Sequence, residues 1–317
     1  MLDNSFLNKL FDRDKRTVSR AISIVESDKI NSAELLNKIF HKTGNAYRIG
    51  ITGPPGSGKS TITNQLTKLL RDQGKTVGII AVDPTSPFTG GALLGDRVRM
   101  SEVGTDPNVF IRSMATRGSL GGLSKKAIDG ADVLDAAGYD FVLFETVGVG
   151  QSELDIAQAA DTTMVVLVPE SGDAVQAMKA GLMEIADLFV LNKSDRPGSE
   201  SAVAAIKTIL SLKDHDEHTW MIPIVKSIAS QNKGIEDIAA AIEKHKNYLI
   251  DNDLLKKLRE KRSKKRIKEI VEIILQQEIW SEERTNNLNA AIEDVVHGNI
   301  SPYTLAEEIV AHYKNTV

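Results

Sequence analysis

The sequence contains no cysteine, so neither a disulfide framework nor a thiolate metal site is available to it. The six histidines are scattered. His215 and His218 flank Asp216 and Glu217, yet with no further ligands clustered nearby a solvated polar loop is the better reading than a metal site. Long apolar runs are missing too: nothing approaches the roughly 20 residues needed to cross a bilayer, and Asp3, Lys9 and Asp12 occupy an N-terminus that a secretion signal would make apolar. A cytoplasmic protein is the default expectation. Charge of one sign is also in short supply. A net charge of −4 with 26% charged residues gives no overall drive toward nucleic acid or an anionic membrane, and neither is expected as the main partner. What is present is a chain of 317 residues, 41% hydrophobic, long enough to bury one substantial α/β core with helical additions.

Three regions follow from the hydrophobic periodicity. Residues 1–45 are strand-poor, with Val18, Ala21, Ile22 and Val25 on one helical face and Ala33, Leu36 and Ile39 on another. Residues 46–230 alternate apolar runs at 47–52, 76–82, 109–111, 141–144, 163–168, 188–191 and 221–225 with helical stretches, which predicts a mostly parallel sheet covered on both faces by helices. From 231 to 317 the strand pattern stops. There the basic run 256–268 opens a long helix carrying Ile267, Ile270, Val271 and Ile274, and its charges read as a solvated face beside a packed stripe. Ser301-Pro302 reads as the N-cap and first-turn proline of the last helix, with Leu305 and Ile309 facing inward.

The chemistry begins at Gly53-Pro54-Pro55-Gly56-Ser57-Gly58-Lys59-Ser60, which fits the phosphate-binding pattern of a P-loop and lies between a strand and a helix. Glycines let successive N–H groups curl around phosphates at the positive end of the following helix. Lys59 then neutralises β/γ oxygens, Ser60 offers a hydroxyl to Mg²⁺, and Thr61 continues the first turn. A nucleoside triphosphate is the implied ligand. The base is indicated by Asn192-Lys193-Ser194-Asp195 at another strand end. An aspartate can accept both N–H donors on the guanine edge, and a site built for those bonds rejects adenine. Ser227-Ile228-Ala229 could add a backbone contact to the base. Two further acidic residues end strands, Asp83 and Glu145, where open α/β sheets bind ligands. Glu145 stands where GTPases usually carry aspartate, and its longer carboxylate can still hold Mg²⁺. Gly148 would bring its N–H toward the γ-phosphate. Val149 occupies the place where many GTPases put a water-orienting glutamine, so slow hydrolysis by the isolated chain is expected. Asp96 reads equally as a Mg²⁺ carboxylate or a loop-stabilising ion-pair partner.

Longer blocks then become specific. Asp83-Pro84-Thr85-Ser86-Pro87, Gly90 through Arg97, Arg112 through Gly118, Gly121-Gly122-Leu123, Glu145 through Glu153, Gly172 through Gly181 and Glu184 through Asp187 resemble the signature segments of the MeaB/ArgK family of GTPases, and the similarity covers nearly the whole chain. The resemblance implies a dimeric GTPase that serves as chaperone to an adenosylcobalamin-dependent acyl-CoA mutase, usually methylmalonyl-CoA mutase. It implies Mg²⁺, with GTP and GDP as ligands, and roles for Lys59, Ser60, Asp83, Asp96 and Glu145 at phosphate and metal. It also makes 172–181 a segment that reports nucleotide state, with Asp173, Gln176 and Lys179 as partner-sensitive positions, and the C-terminal helices a dimerisation region. Two rivals remain: a nickel-delivery GTPase, disfavoured by the missing cysteine and histidine tract, and a kinase acting on a transport protein. Replacing Lys59 with alanine should nearly abolish GTP hydrolysis in a phosphate-release assay; near-normal turnover would overturn the phosphate-site assignment.

Overall fold

Parallel strands that are buried on both faces must carry apolar residues continuously, and this chain supplies such runs at regular intervals. The computed structural model describes residues 2–27, 29–84, 101–116, 122–146, 152–169, 181–212, 216 and 219–316. Three helices come first, α1 (Asn4–Phe11), α2 (Lys15–Ser27) and α3 (Lys29–Ile39). The sheet strands are β1 (Tyr47–Thr52), β2 (Val77–Pro84), β3 (Val109–Thr116), β4 (Phe141–Thr146), β5 (Thr162–Leu167), β6 (Leu188–Leu191) and β7 (Ile224–Lys226). Between them lie α4 (Lys59–Asp72), α5 (Ser101–Gly104), α6 (Gly122–Ala136), α7 (Ser152–Ala159), α8 (Leu182–Ile185) and α9 (Ser199–Leu210). After the sheet come α10 (Ile235–Asp251), α11 (Leu254–Ile279), α12 (Glu282–Val296) and α13 (Pro302–Thr316). The strands pair in the order β3-β2-β4-β1-β5-β6-β7, every ladder parallel.

Alternation along the strands divides the core. Ile80, Val82, Val142 and Phe144 face a cluster formed with α1, α2, α3 and α6, whereas Ile49, Ile51, Ile79, Leu143 and Val190 face α4 and α10. The N-terminal helices thus complete one face of the sheet: Val18, Ala21, Ile22 and Val25 are all fully buried. On α3 the expected face is shifted. Leu35 and Ile39 are the fully buried apolar residues, Leu36 packs half-buried against the same cluster and Ala33 is exposed, since positions 35 and 39, one turn apart, share the inward face. Asp135, 2% exposed, accepts N–H bonds from Gly44 (2.7 Å), Asn45 (3.0 Å) and Ala46 (2.9 Å), and so fixes the entry into β1.

Strand ends also differ from expectation. β3 runs to Thr116, five residues beyond the apolar run at 109–111, because β2 offers it a paired partner as far as Pro84. Conversely, the strand expected at 221–225 begins only at Ile224. Pro223 lacks an N–H for a ladder, although its carbonyl accepts from the Phe189 N–H at 2.9 Å. Contacts divide the chain into units 1–255 and 256–317, and Ile235, Ile238 and Ile242 of α10 belong to the core of the first unit. Within the second unit Arg284 is buried and donates to the carbonyls of Ile279 (2.6 Å) and Glu278 (2.7 Å), closing the end of α11. Ser281 caps α12, and the Ser301 hydroxyl accepts from the Thr304 N–H at 3.0 Å at the start of α13, whose Leu305 and Ile309 are buried.

At the amino ends of the strands sits a buried polar chain. The Tyr47 hydroxyl meets Thr162 Oγ1 at 2.6 Å, and Thr162 Oγ1 meets His245 Nδ1 at 2.8 Å. His245 Nε2 lies 3.6 Å from Asp187 and its ring 4.9 Å from that of Trp220. Burial pushes the His245 pKa down from 6.5 to about 4, against the opposing pull of Asp161. The native ring therefore stays neutral where an unfolded chain would protonate. Its stabilising contribution is whole above pH 6.5 and is lost as pH falls toward 4, by up to about 3 kcal/mol. Urea unfolding followed between pH 7 and 4.5 should show this loss in the wild type and a flatter profile in His245→Gln; identical profiles would remove His245 as the cause.

Candidate nucleotide site

β1 delivers the chain into the phosphate loop, and the loop's conformation is possible only with glycine at particular points. Gly53 has φ +134°, and a Cβ there would lie 2.1 Å from the Val166 carbonyl oxygen. Gly58, which caps α4, has φ +93°, and a Cβ would lie 2.2 Å from Asn192 Nδ2. These glycines let β1 and β5, and the two nucleotide loops, approach more closely than any side chain permits. Pro55 and Gly56 form the exposed outer part of the loop, Ser57 is buried, and Thr61 is exposed in the first turn of α4.

Lys59 is 6% exposed, and its ammonium donates to the carbonyls of Gly53 (2.8 Å) and Pro54 (2.9 Å). It is held inside the loop that it is expected to serve. Ser60 Oγ donates to Glu145 Oε1 at 2.5 Å, and Glu145 is 1% exposed at the end of β4. The register makes this meeting possible, since Glu145 pairs with Ile51 on one side and Ala81 on the other. Just beyond, Thr146 Oγ1 donates to Thr52 Oγ1 at 3.1 Å, a buried link between two strand ends that motif reading missed; its signal was a threonine closing both strands. Asp83 lies one residue past the Val82–Thr146 pair, so its backbone is at the same sheet edge. Asp96, Gly148 and the 172–180 stretch with Asp173, Gln176 and Lys179 lie outside the described residues.

A hydroxyl and a carboxylate in contact at the carboxyl ends of the strands fit a divalent cation. Mg²⁺ keeps several waters and takes few protein ligands beside the phosphates. Among the described residues no group of three or more histidines and carboxylates that could hold a metal ion is present.

The second loop is joined to the first through one side chain. Asn192 is 3% exposed; its Nδ2 donates to the Ser57 carbonyl at 2.8 Å, and its Oδ1 accepts from the Ala229 N–H at 3.1 Å and the Ser227 hydroxyl at 3.2 Å. Lys193, in a left-handed conformation at φ +54°, donates from Nζ to the Gly56 carbonyl at 2.8 Å. Ser227 N–H donates to Leu191 O at 2.9 Å and its carbonyl accepts from Ser194 N–H at 3.0 Å. Asp195 stands exposed on the same loop, and Ile228 is half-buried between Ser227 and Ala229. The structure thus brings together the loop residues 53–60, 192–195 and 227–229.

The family described as Methylmalonyl Co-A mutase-associated GTPase MeaB matches residues 18–284. The chain belongs to this family. It is a P-loop GTPase. A Pyrococcus abyssi protein carrying a provisional GTPase designation is 46% identical over 98% of this chain and 96% of its own length. The GTPase ArgK of Escherichia coli is 36% identical over 81% of this chain and 80% of its own. A solved structure described as an LAO/AO transport system kinase is 27% identical, covers 99% of both chains and superposes with a TM-score of 0.72.

Because the Asn192 amide fills the space that a Cβ on residue 58 would need, substitutions at the two positions should not add. Asn192→Ala should weaken GTP and GDP binding alike by about tenfold, the cost of buried groups left unpaired. Gly58→Ala should weaken it more, and the double variant should recover part of that loss. Strictly additive effects in nucleotide titrations would show that the two loops are not coupled through this contact.

Proposed function

We propose that the chain is a GTP-hydrolysing chaperone of an adenosylcobalamin-dependent acyl-CoA mutase, methylmalonyl-CoA mutase first among them, gating its cofactor loading and protecting it. It would work in the cytoplasm as a homodimer through its C-terminal helices. The observation that carries the reading is membership, over most of the chain, in a family defined by mutase association. Exposed Ile267, Ile270, Val271 and Ile274 on α11 favour self-association. Among the described residues no helix is long and apolar enough to cross a membrane.

In the proposed reaction the Lys59 ammonium turns from the Gly53 and Pro54 carbonyls to the β/γ oxygens, while loop N–H groups around 56–60 take up negative charge. Asp195 accepts the guanine N–H donors, and Asn192 keeps that loop at a fixed distance from the phosphates. Ser60, Glu145 and Asp83 would hold Mg²⁺, with Asp96 assigned from sequence. When bound, the cation supplies charge neutralisation between the β- and γ-phosphates. Water attacks in line at the γ-phosphate. Val149 stands where many GTPases carry the glutamine that orients this water, and the partner completes the arrangement. A kinase reading, prompted by the likeness to the solved transport system kinase, requires transfer of the γ-phosphate to a protein rather than to water.

Phosphate release from GTP, with ATP as control and with and without methylmalonyl-CoA mutase, tests this reading. The chain alone should turn over GTP slowly and selectively, and the mutase should raise the rate at least about tenfold, as partner-completed GTPase sites do. An unchanged rate with an active mutase would refute the chaperone reading, and label passing from γ-phosphate to a protein would favour the kinase.

A further inference from the structure

The charge of this protein is unevenly distributed. Residues 256–268 hold nine lysines and arginines against one glutamate, so this short stretch of +8 leaves −12 for the rest of a chain whose net charge is −4. On α11 the spacing Lys257, Lys261, Lys264 and Lys268 puts four ammonium groups on one helical face. Together with Glu260 and Lys265 they line one shallow groove, and the five lysines are exposed.

A solvated helix face ordinarily pairs opposite charges at these separations, and the chain does so elsewhere. Glu34 meets Lys38 at 2.7 Å, and Glu243 meets Lys246 at 3.3 Å. On α11 Lys265 approaches Glu269 at 3.9 Å, but Lys257, Lys261, Lys264 and Lys268 form no ion pair among the described residues. Like charges at i,i+3 and i,i+4 destabilise a helix. A face that keeps four of them in register is therefore not explained by solubility, which interspersed signs would serve better.

We propose that this lysine face of α11 docks onto an acidic patch of the mutase partner, a proposal that rests on the mutase reading above. The matching patch need be only one helix long, since Lys257 to Lys268 span about 17 Å. Longer polyanions fit less well. Nucleic acid or an anionic bilayer extending past the stripe would meet a molecule carrying −12 elsewhere, and the stretch 256–268 contains no aromatic residue for base stacking or interfacial anchoring. A discrete acidic patch on a folded protein meets the lysines alone. Exposed charges of this kind act chiefly on association rate and salt dependence.

The test uses the full chain and intact mutase, with binding measured by surface resonance from about 50 to 200 mM salt, a range over which screening of exposed charges changes markedly. The variant Lys257→Glu/Lys261→Glu/Lys264→Glu/Lys268→Glu should bind mutase at least about tenfold more weakly at low salt and lose most of the wild-type salt dependence. A neutral set of Lys→Gln changes at the same positions should fall between. Basal GTP hydrolysis and circular dichroism should be unchanged. Wild-type affinity in the charge-reversed variant would overturn the proposal. So would a loss of self-association in size-exclusion chromatography with mutase affinity per protomer retained, or a loss confined to binding of duplex DNA or anionic vesicles. If the wild-type chain forms no complex with mutase at any salt, the mutase reading itself fails.

Discussion

The phosphate loop keeps its curl because Asn192 sits behind it. One buried amide satisfies the Ser57 carbonyl in front, and the Ala229 N–H and Ser227 hydroxyl behind. Each of these groups would be costly to leave unpaired where water is excluded. Gly58 follows from the same constraint, since any larger residue would occupy the space of that amide. The three loops are therefore joined through one side chain, so that the expected sites for the base and for the phosphates share a single support.

The phosphate loop hangs from β1, and β1 is fixed at both ends. At its start Asp135 gathers three successive N–H groups, Arg48 reaches Asp132 at 2.6 Å, and Asp161 accepts the Arg48 N–H at 3.0 Å. At its end Gly53 passes against Val166 of β5 with no room for a side chain. The N-terminal helices bury their apolar faces against the same sheet, so they belong to the framework that positions the loop.

Local signals exposed the site because its residues act through backbone geometry at fixed offsets: glycines before a helix, an asparagine and an aspartate three residues apart, a carboxylate closing a strand. What stayed hidden depends on partners remote in sequence. The length of β3 is set by β2, the inward phase of α3 by the packing of Leu35 and Ile39 into the cluster formed with α2 and α6, and the end of the first unit by α10 folding back onto α4. The bonds from Asn192 and Lys193 to the carbonyls of Ser57 and Gly56 were invisible for another reason. Their acceptors are main chain, and main chain leaves no mark in a sequence.

Lys59 holds two carbonyls of its own loop. Arrival of a nucleotide is thus an exchange of hydrogen bonds rather than a gain of them, and the enthalpy of binding should be smaller than a count of phosphate contacts suggests. The same internal bonds, with those from Asn192 and Lys193, define the shape of the loop from within the chain, so little ordering entropy need be spent in capturing a nucleotide.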